Sequence, residues 1–307
     1  MFMYEKALNL FNYSATFGRN SNVPMPLIWI GGRDIVTDTL YFVNTLNKNE
    51  LLSEISPVLF LQSDCFTPTE REIYVDKLMK YIQVDSYGRC LNNKKLPLSN
   101  TYKDSYQYHL NGEELLEFIA KYKFMIAIEN CICNDYVTEK FWRAIKVGVV
   151  PIYYGSPLIR DWLPNNKSAI LLEDFPTPEL LSQHLHYLLN NDTAYEEYLE
   201  HKTLGKISNE KLVKELQERA YQTDLDAVVN TFECFICERL YDEKKQVNIV
   251  NKSHYDCPEP YSALSLCVNP ENPKLELLRD AKEDLDKIYK EIENSDMSYH
   301  GSNMTWW

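Results

Sequence analysis

The chain has 307 residues, a formal net charge of −13 and a sequence pI near 5.0. This acidity excludes sequence-independent nucleic-acid binding, which needs a basic surface, so an anionic ligand would require locally concentrated Lys and Arg. The 45% hydrophobic and 25% charged content is that of a globular protein with one large or two smaller cores, and no apolar run reaches the roughly eighteen residues that span a bilayer.

Met1–Lys6 lacks a basic stretch followed by an apolar core, so no signal peptide is read there. Residues 1–50 show no clean strand–helix rhythm and look like the end of another unit. Val58–Gln62 is a short apolar run, predicted as a buried strand. Thr67-Pro-Thr-Glu70 forms a capping box with Pro at the first helical position, predicting a helix to about Tyr81. A strand is expected at Ile82–Val84, a helix at Glu113–Tyr122 and a strand at Phe124–Ile128. Thr138–Val147 reads as a helix closed by Gly148. Strands at Val149–Tyr154 and Ala169–Leu172 follow, then a helix from Thr177-Pro178-Glu179 to about Leu189. This alternation predicts an α/β fold with a parallel sheet, whose ligands bind at the carboxyl ends of the strands. From Glu238 the chain is polar, but Leu278, Ala281, Leu285, Ile288 and Ile292 recur at helical spacing, predicting an amphipathic helix. Three spans result: 1–50, 51–237 and 238–307.

The chemistry concentrates after Phe124–Ile128. The strand ends in Glu129-Asn130, a polar loop follows, and Thr138 caps a helix whose free N–H groups attract an anion. Lys140 in the first turn opposes the helix dipole, and a bound phosphate would explain it; solvated surface charges are the plainer alternative. Glu139 beside it is suited to accept hydrogen bonds from sugar hydroxyls. Arg71 opens the preceding helix and would lie at the same sheet edge. The chain has neither G-x-G-x-x-G, G-x-x-x-x-G-K-[ST] nor G-x-S-x-G, which argues against a Rossmann dehydrogenase, a P-loop NTPase and an α/β-hydrolase. His184 and His186 lie on different helical faces and make poor co-ligands.

The 8 cysteines and the sequons at Asn12, Asn166, Asn191, Asn251 and Asn303 point to an oxidising compartment. Cys234-x2-Cys237 and His254-x2-Cys257 fit disulfides, the preferred reading, a structural zinc site, or free thiols. Cys65 and Cys90 flank a helix and its following strand and are expected to pair.

Ile128-Glu-Asn130, Asp135-Tyr-Val-Thr-Glu-Lys140 and Gly148-Val-Val-Pro-Ile-Tyr-Tyr-Gly155 resemble, in order, the signature of glycosyltransferase family 10, the α1,3-fucosyltransferases. Asp161-Trp-Leu-Pro164, Asp174-Phe175 and Asn191-Asp192 extend the resemblance, which covers about residues 11–260. Gln62-Ser-Asp-Cys65, Val84–Gly88, Tyr153–Pro157, Phe232–Cys237 and Cys257–Pro260 resemble the family's divergent tenth- and eleventh-type branch, to which protein O-fucosylation of EMI domains in the endoplasmic reticulum is assigned.

The resemblance implies a GT-B fold of two Rossmann-like halves, with residues 51–237 as the donor half and 1–50 closing the acceptor half. It implies inverting transfer of fucose from GDP-fucose, with no cofactor and no metal. Arg71 and Lys140 would hold the phosphates, Glu139 would meet the sugar hydroxyls, Asn130 and Tyr136 would shape the pocket, and Ser63 would lie near the guanine. Phe11–Asn22 resembles the segment closing the acceptor half, but Asn22 and Gly18 depart from the pattern. The rest of that half, a general base and a membrane anchor are expected upstream, so the catalytic base is not among these residues and the chain alone is expected to bind GDP weakly without transferring fucose. The expected setting is the endoplasmic reticulum or Golgi lumen, as a type II membrane protein when full length, with GDP-fucose and a glycoprotein acceptor as partners. A catalytically silent protein of the same fold, or a GT-B enzyme using another nucleotide sugar, remains as the alternative.

Overall fold

Successive residues of a strand face opposite sides of its sheet, and the apolar runs here are apolar on both sides, so each needs cover above and below. The computed structural model, which describes residues 2–32, 34–97, 112–241 and 248–294, builds that arrangement. Two short paired strands, β1 (Ala15–Thr16) and β2 (Val23–Pro24), and helix α1 (Thr45–Leu51) precede the main sheet. Then come β3 (Val58–Gln62), α2 (Arg71–Leu78), β4 (Val84–Gly88), α3 (Glu113–Ala120), β5 (Phe124–Ile128), α4 (Glu139–Val147), β6 (Val150–Tyr154), β7 (Ile170–Leu171) and α5 (Pro178–Leu189). Helices α6 (Glu210–Glu218), α7 (Leu225–Tyr241) and α8 (Lys274–Asn294) complete the longer elements.

The sheet runs β4-β3-β5-β6-β7, all parallel. One face packs Phe60, Ile126 and Ile152 against Val75 and Leu78 of α2 and Leu181 and Leu185 of α5. The other packs Leu59 and Met125 against Leu116 and Ile119 of α3, and Ala127 and Tyr153 against Phe141 and Ile145 of α4. The order places the second strand of the sheet outside the first and the third on its other side. The connections therefore diverge between β3 and β5, the switch point at which such sheets open a ligand crevice. The register agrees: β3 pairs with β4 from Val58↔Val84 to Gln62↔Gly88, but with β5 only at Val58↔Phe124 and Leu59↔Met125. Beyond those pairs β3 and β5 part.

The expected strands Val58–Gln62 and Phe124–Ile128 keep their bounds, and α4 has both expected caps, with Thr138 as N-cap and Gly148 left-handed at φ 69°. Two readings need correction. The helix after β3 starts at Arg71, because Glu70 is left-handed (φ 51°) and the Thr67 hydroxyl meets the Thr69 hydroxyl at 3.3 Å instead of capping a helix. The next strand is Val84–Gly88 rather than Ile82–Val84: Asp85 and Ser86 are polar yet buried, since Asp85 accepts from the Ser56 hydroxyl at 2.6 Å and the Tyr122 hydroxyl at 3.0 Å.

Both flanking spans are tied to the sheet. Lys48 of α1 is fully buried and donates Nζ to the Gly148 carbonyl at the end of α4 (2.6 Å). Ala263 joins the core, its N–H donating to the Thr69 carbonyl (2.7 Å), and Asn272 Nδ2 donates to the Pro68 carbonyl (2.9 Å). The expected amphipathic helix is α8; Leu285 is its buried contact, and the Tyr4 hydroxyl donates to the Leu278 carbonyl (2.9 Å). Among the described residues no helix is long and apolar enough to cross a membrane.

Cys65–Cys90 pair as expected, joining the loops after β3 and β4. The second disulfide, Cys133–Cys257, splits the residues read as a zinc or disulfide set. His254 Nδ1 meets the Ser14 hydroxyl at 2.8 Å, and Cys234 and Cys237 are exposed thiols on α7. Their expected oxidation is not borne out: both are free thiols, with side chains projecting from the exposed side of α7. The sequon at Asn303 lies outside the described residues.

Candidate active site

The crevice between the parted ends of β3 and β5 is bridged by one side chain. Arg71 is fully buried; Nη1 donates to the Ile128 carbonyl (3.0 Å) and Asn130 Oδ1 (2.6 Å), and Nη2 to the Asp64 carbonyl (3.1 Å). Its guanidinium thus joins the end of β5 to the loop after β3, while Nε has no partner. Burial pulls its pKa down, opposed by Asp64 and Glu129. Arg71 lies at the sheet edge, as expected, but faces inward as a brace.

Lys140 sits at the start of α4, where two carboxylates face it. Its Nζ lies 3.1 Å from Glu139 Oε1, 3.6 Å from Glu129 Oε2 and 3.0 Å from Thr138 Oγ1, so carboxylates already balance it. Its side chain is 12% exposed, whereas Arg71 is fully buried. Burial raises the Glu139 carboxyl, but nearby Lys140 and Arg143 outweigh it and hold the group below its ordinary range.

Glu129 was not singled out by sequence. It follows β5 directly and is fully buried. Its carboxylate accepts the Thr138 N–H and the Thr138 hydroxyl, each at 2.7 Å. Thr138 in turn accepts at Oγ1 from the Lys140 N–H at 3.4 Å. Glu129 therefore sets the cap of α4 and the base of Lys140 together. The signal available was a lone acid ending a five-residue all-apolar run.

Tyr136 is half-buried and packs edge-tilted against Phe17 (centroids 5.0 Å), which meets Tyr255 (5.0 Å). Burial and the nearby Glu129, Cys131 and Glu139 charges push the Tyr136 phenol up, placing it in the same electrostatic field as Arg71 and Lys140. Ser63 lies in the loop beyond β3, its carbonyl accepting from Arg89 Nε (3.2 Å). It joins the site through its neighbour Asp64, the Arg71 acceptor. The loop between Asn130 and Thr138 is held from two sides. Cys133 is disulfide-bonded, and Asp135, left-handed at φ 63°, takes Arg19 Nε at 2.9 Å and Trp162 Nε1 at 3.0 Å. Arg19 also stacks over Trp162 at 4.6 Å. Cys131 is a thiol 3.4 Å from the Cys133 sulfur, and burial pushes it up to about 12. No group of three or more His, Cys, Asp or Glu among the described residues is disposed to hold a metal ion.

A partly exposed lysine at a helix N-terminus, flanked by carboxylates and set at a switch point, can take an anionic ligand carrying hydroxyl groups. Comparison with known proteins adds the lineage. Residues 52–255 match the profile of the C-terminal part of glycosyltransferase family 10 (fucosyltransferase). The chain is 40% identical over 271 residues to human GDP-fucose protein O-fucosyltransferase 3, covering 84% of this chain and 55% of the relative. It is 40% identical over 283 residues to the mouse protein of that name, covering 89% and 58%. The chain thus spans between half and two thirds of the length of these relatives. A crystal structure of an α1,3-fucosyltransferase with GDP-fucose aligns with TM-score 0.47 at 19% identity, covering 78% of this chain and 72% of that one. With the family profile matched across more than half its length, the chain belongs to glycosyltransferase family 10.

Proposed function

We propose that the protein transfers L-fucose from GDP-fucose to a Ser or Thr hydroxyl of a folded protein. The observation that carries this reading is Lys140, partly exposed at the capped N-terminus of α4 and paired with Glu139 at the β3/β5 switch point. In a single inverting displacement, negative charge grows on the departing diphosphate. Lys140 and the first N–H groups of α4 stabilise it electrostatically, and need little reorganisation because Thr138 and Glu129 already fix them. Glu139, kept ionised, accepts from the sugar hydroxyls. Arg71 holds the crevice open at a fixed width and Asn130 in its rotamer, with Tyr136 walling the pocket and Ser63 on the guanine side. The acceptor hydroxyl loses its proton to a base expected in the upstream half. No cofactor or metal enters this reading.

The two disulfides, the sequons and the relatives' names support the lumen of the endoplasmic reticulum or Golgi, with anchoring as a type II membrane protein by a segment outside this chain, and an EMI-type domain as acceptor. The test is a donor screen with the complete gene product against GDP-fucose, GDP-mannose and UDP-sugars, with a folded EMI-type domain as acceptor. Mass addition of one deoxyhexose from GDP-fucose alone is expected. Preference for another nucleotide sugar would overturn the donor assignment, and GDP-fucose binding without transfer to any acceptor would favour a silent binding protein.

A further inference from the structure

Glu129 is held at every atom that can hydrogen-bond. Its N–H donates to the Tyr154 carbonyl (2.8 Å), and its carbonyl accepts from the Thr69 hydroxyl (2.7 Å). Its carboxylate takes the Thr138 N–H and hydroxyl, and lies 3.6 Å from Lys140 Nζ. The groups facing it are Lys140 and Glu139 from α4, Arg71 from α2, Cys131 and Tyr136 from the loop, and Tyr153 from β6. The terminal nitrogens of Arg71 are committed to Ile128, Asn130 and Asp64. Lys140 is therefore the counter-cation that can move, and it serves two carboxylates at once.

We infer that Glu129 is a positioning residue for Lys140, and that it takes up a proton from solvent when a nucleotide diphosphate sugar draws the Lys140 ammonium away. This rests on the donor reading above. An incoming diphosphate competes for the one ammonium that Glu129 and Glu139 share. Glu139 keeps Arg143 nearby and its charge. Glu129 is wholly buried and left with Thr138, which hydrogen-bonds but does not neutralise it, and with the more distant field of Arg71, which makes it no hydrogen bond. A buried carboxylate that loses its nearest counter-charge gains affinity for a proton. Burial already holds this carboxyl above its ordinary range even with Lys140 present. The neutral form costs no hydrogen bond: Oε1 keeps the Thr138 N–H, and the protonated Oε2 donates to Thr138 Oγ1, reversing the bond. The Thr138 hydroxyl hydrogen is then free to turn toward the ligand. The chain Glu129–Thr138–Lys140 thus links donor occupancy to a proton.

The test is calorimetry of GDP-fucose binding, without acceptor, in two buffers of different ionisation enthalpy near neutral pH. GDP-fucose is the probe because its diphosphate is a diester with no group titrating there, unlike the terminal phosphate of GDP. Wild-type protein should take up a substantial fraction of one proton per donor bound, and E129Q should bind with no uptake and with an affinity that no longer falls as pH rises. Should E129Q fail to fold, infrared difference spectra of the wild type replace it: a protonated-carboxyl C=O band should appear on adding GDP-fucose. Equal uptake in wild type and E129Q, or binding with neither uptake nor that band, overturns the inference and leaves the donor reading standing. Absence of any GDP-fucose binding overturns both.

Discussion

Glu129 occupies the space that a side chain at Gly155 would need: a Cβ at 155 would lie 2.6 Å from Glu129 Cγ and 2.7 Å from the Tyr153 hydroxyl. The glycine after β6 is thus an accommodation of the buried acid after β5, and its φ is not the constraint. The substitution G155A should destabilise the protein by about 1–3 kcal/mol through overpacking. Combining it with E129A should recover part of that loss, giving a favourable coupling in a double-mutant cycle by denaturant unfolding. Strict additivity would show that the two residues do not compete for the same volume.

Arg71 and Lys140, alike in the sequence reading, should separate by experiment. R71A strips the buried Ile128 carbonyl of its donor, at about 1–3 kcal/mol, together with two part-buried acceptors, and empties the volume of a fully buried side chain. It should lower Tm sharply and act on GDP binding through loss of fold. K140A removes a partly exposed side chain and should lower Tm less than R71A, because Glu129 can protonate once its counter-charge is gone. Its cost falls on GDP affinity, about 1.5–3 kcal/mol for a charged hydrogen bond. Thermal denaturation beside calorimetry decides it; a K140A protein with unchanged GDP affinity would remove Lys140 from the site.

The readings that held rest on local rules, and those that failed depended on partners distant in sequence. The bounds of β3 and β5 follow from uninterrupted apolar runs, and the caps of α4 from Thr138 and Gly148. The Arg71 side chain turns inward because Ile128 and Asp64 offer carbonyls where β3 and β5 separate, a fact of topology. Asp85 is a strand residue because Ser56, Lys94 and Tyr122 supply its hydrogen bonds. Glu129 escaped notice for the same reason: its partner Thr138 lies on the next helix, beyond the intervening loop.

Acid should expose His201. It is fully buried against the Ile145 carbonyl, and burial together with Lys202 depresses its pKa to about 3. Folding therefore favours the neutral ring, and the unfolded chain binds the extra proton between the unfolded value of 6.5 and about 3. Stability falls as pH drops through that window, by up to about 1.4 kcal/mol per pH unit from this residue. Lys202, depressed to about 7 from 10.5 chiefly by burial, adds a rise in stability with pH across its own, higher window. Urea unfolding of H201Q from pH 4 to 6 should show a shallower slope than wild type; an unchanged slope would mean that His201 stays protonated in the fold.

The thiols should sort into two classes. Cys234, Cys237 and Cys267 are exposed, whereas Cys131 is sheltered and its thiol is pushed up to about 12 by burial and the nearby Glu129 charge. Native alkylation followed by mass spectrometry should label those three first and Cys131 after denaturation. Rapid labelling of Cys131 in the folded protein would contradict the packing around Asn130.

The fastening of the loop between Asn130 and Thr138 has a consequence for biosynthesis. Its disulfide partner Cys257 lies 124 residues further on, and Ala263 and Asn272, which secure the approach to Arg71, come later still. During vectorial synthesis the whole sheet emerges before its latch does. Cys133 then travels as an open thiol beside Cys131, free to choose a wrong partner until the last strap arrives. A nonsense codon shortly before position 257 would therefore yield a protein with every strand of the sheet in place and an unlatched crevice, a ready client for the quality control that monitors unpaired cysteines.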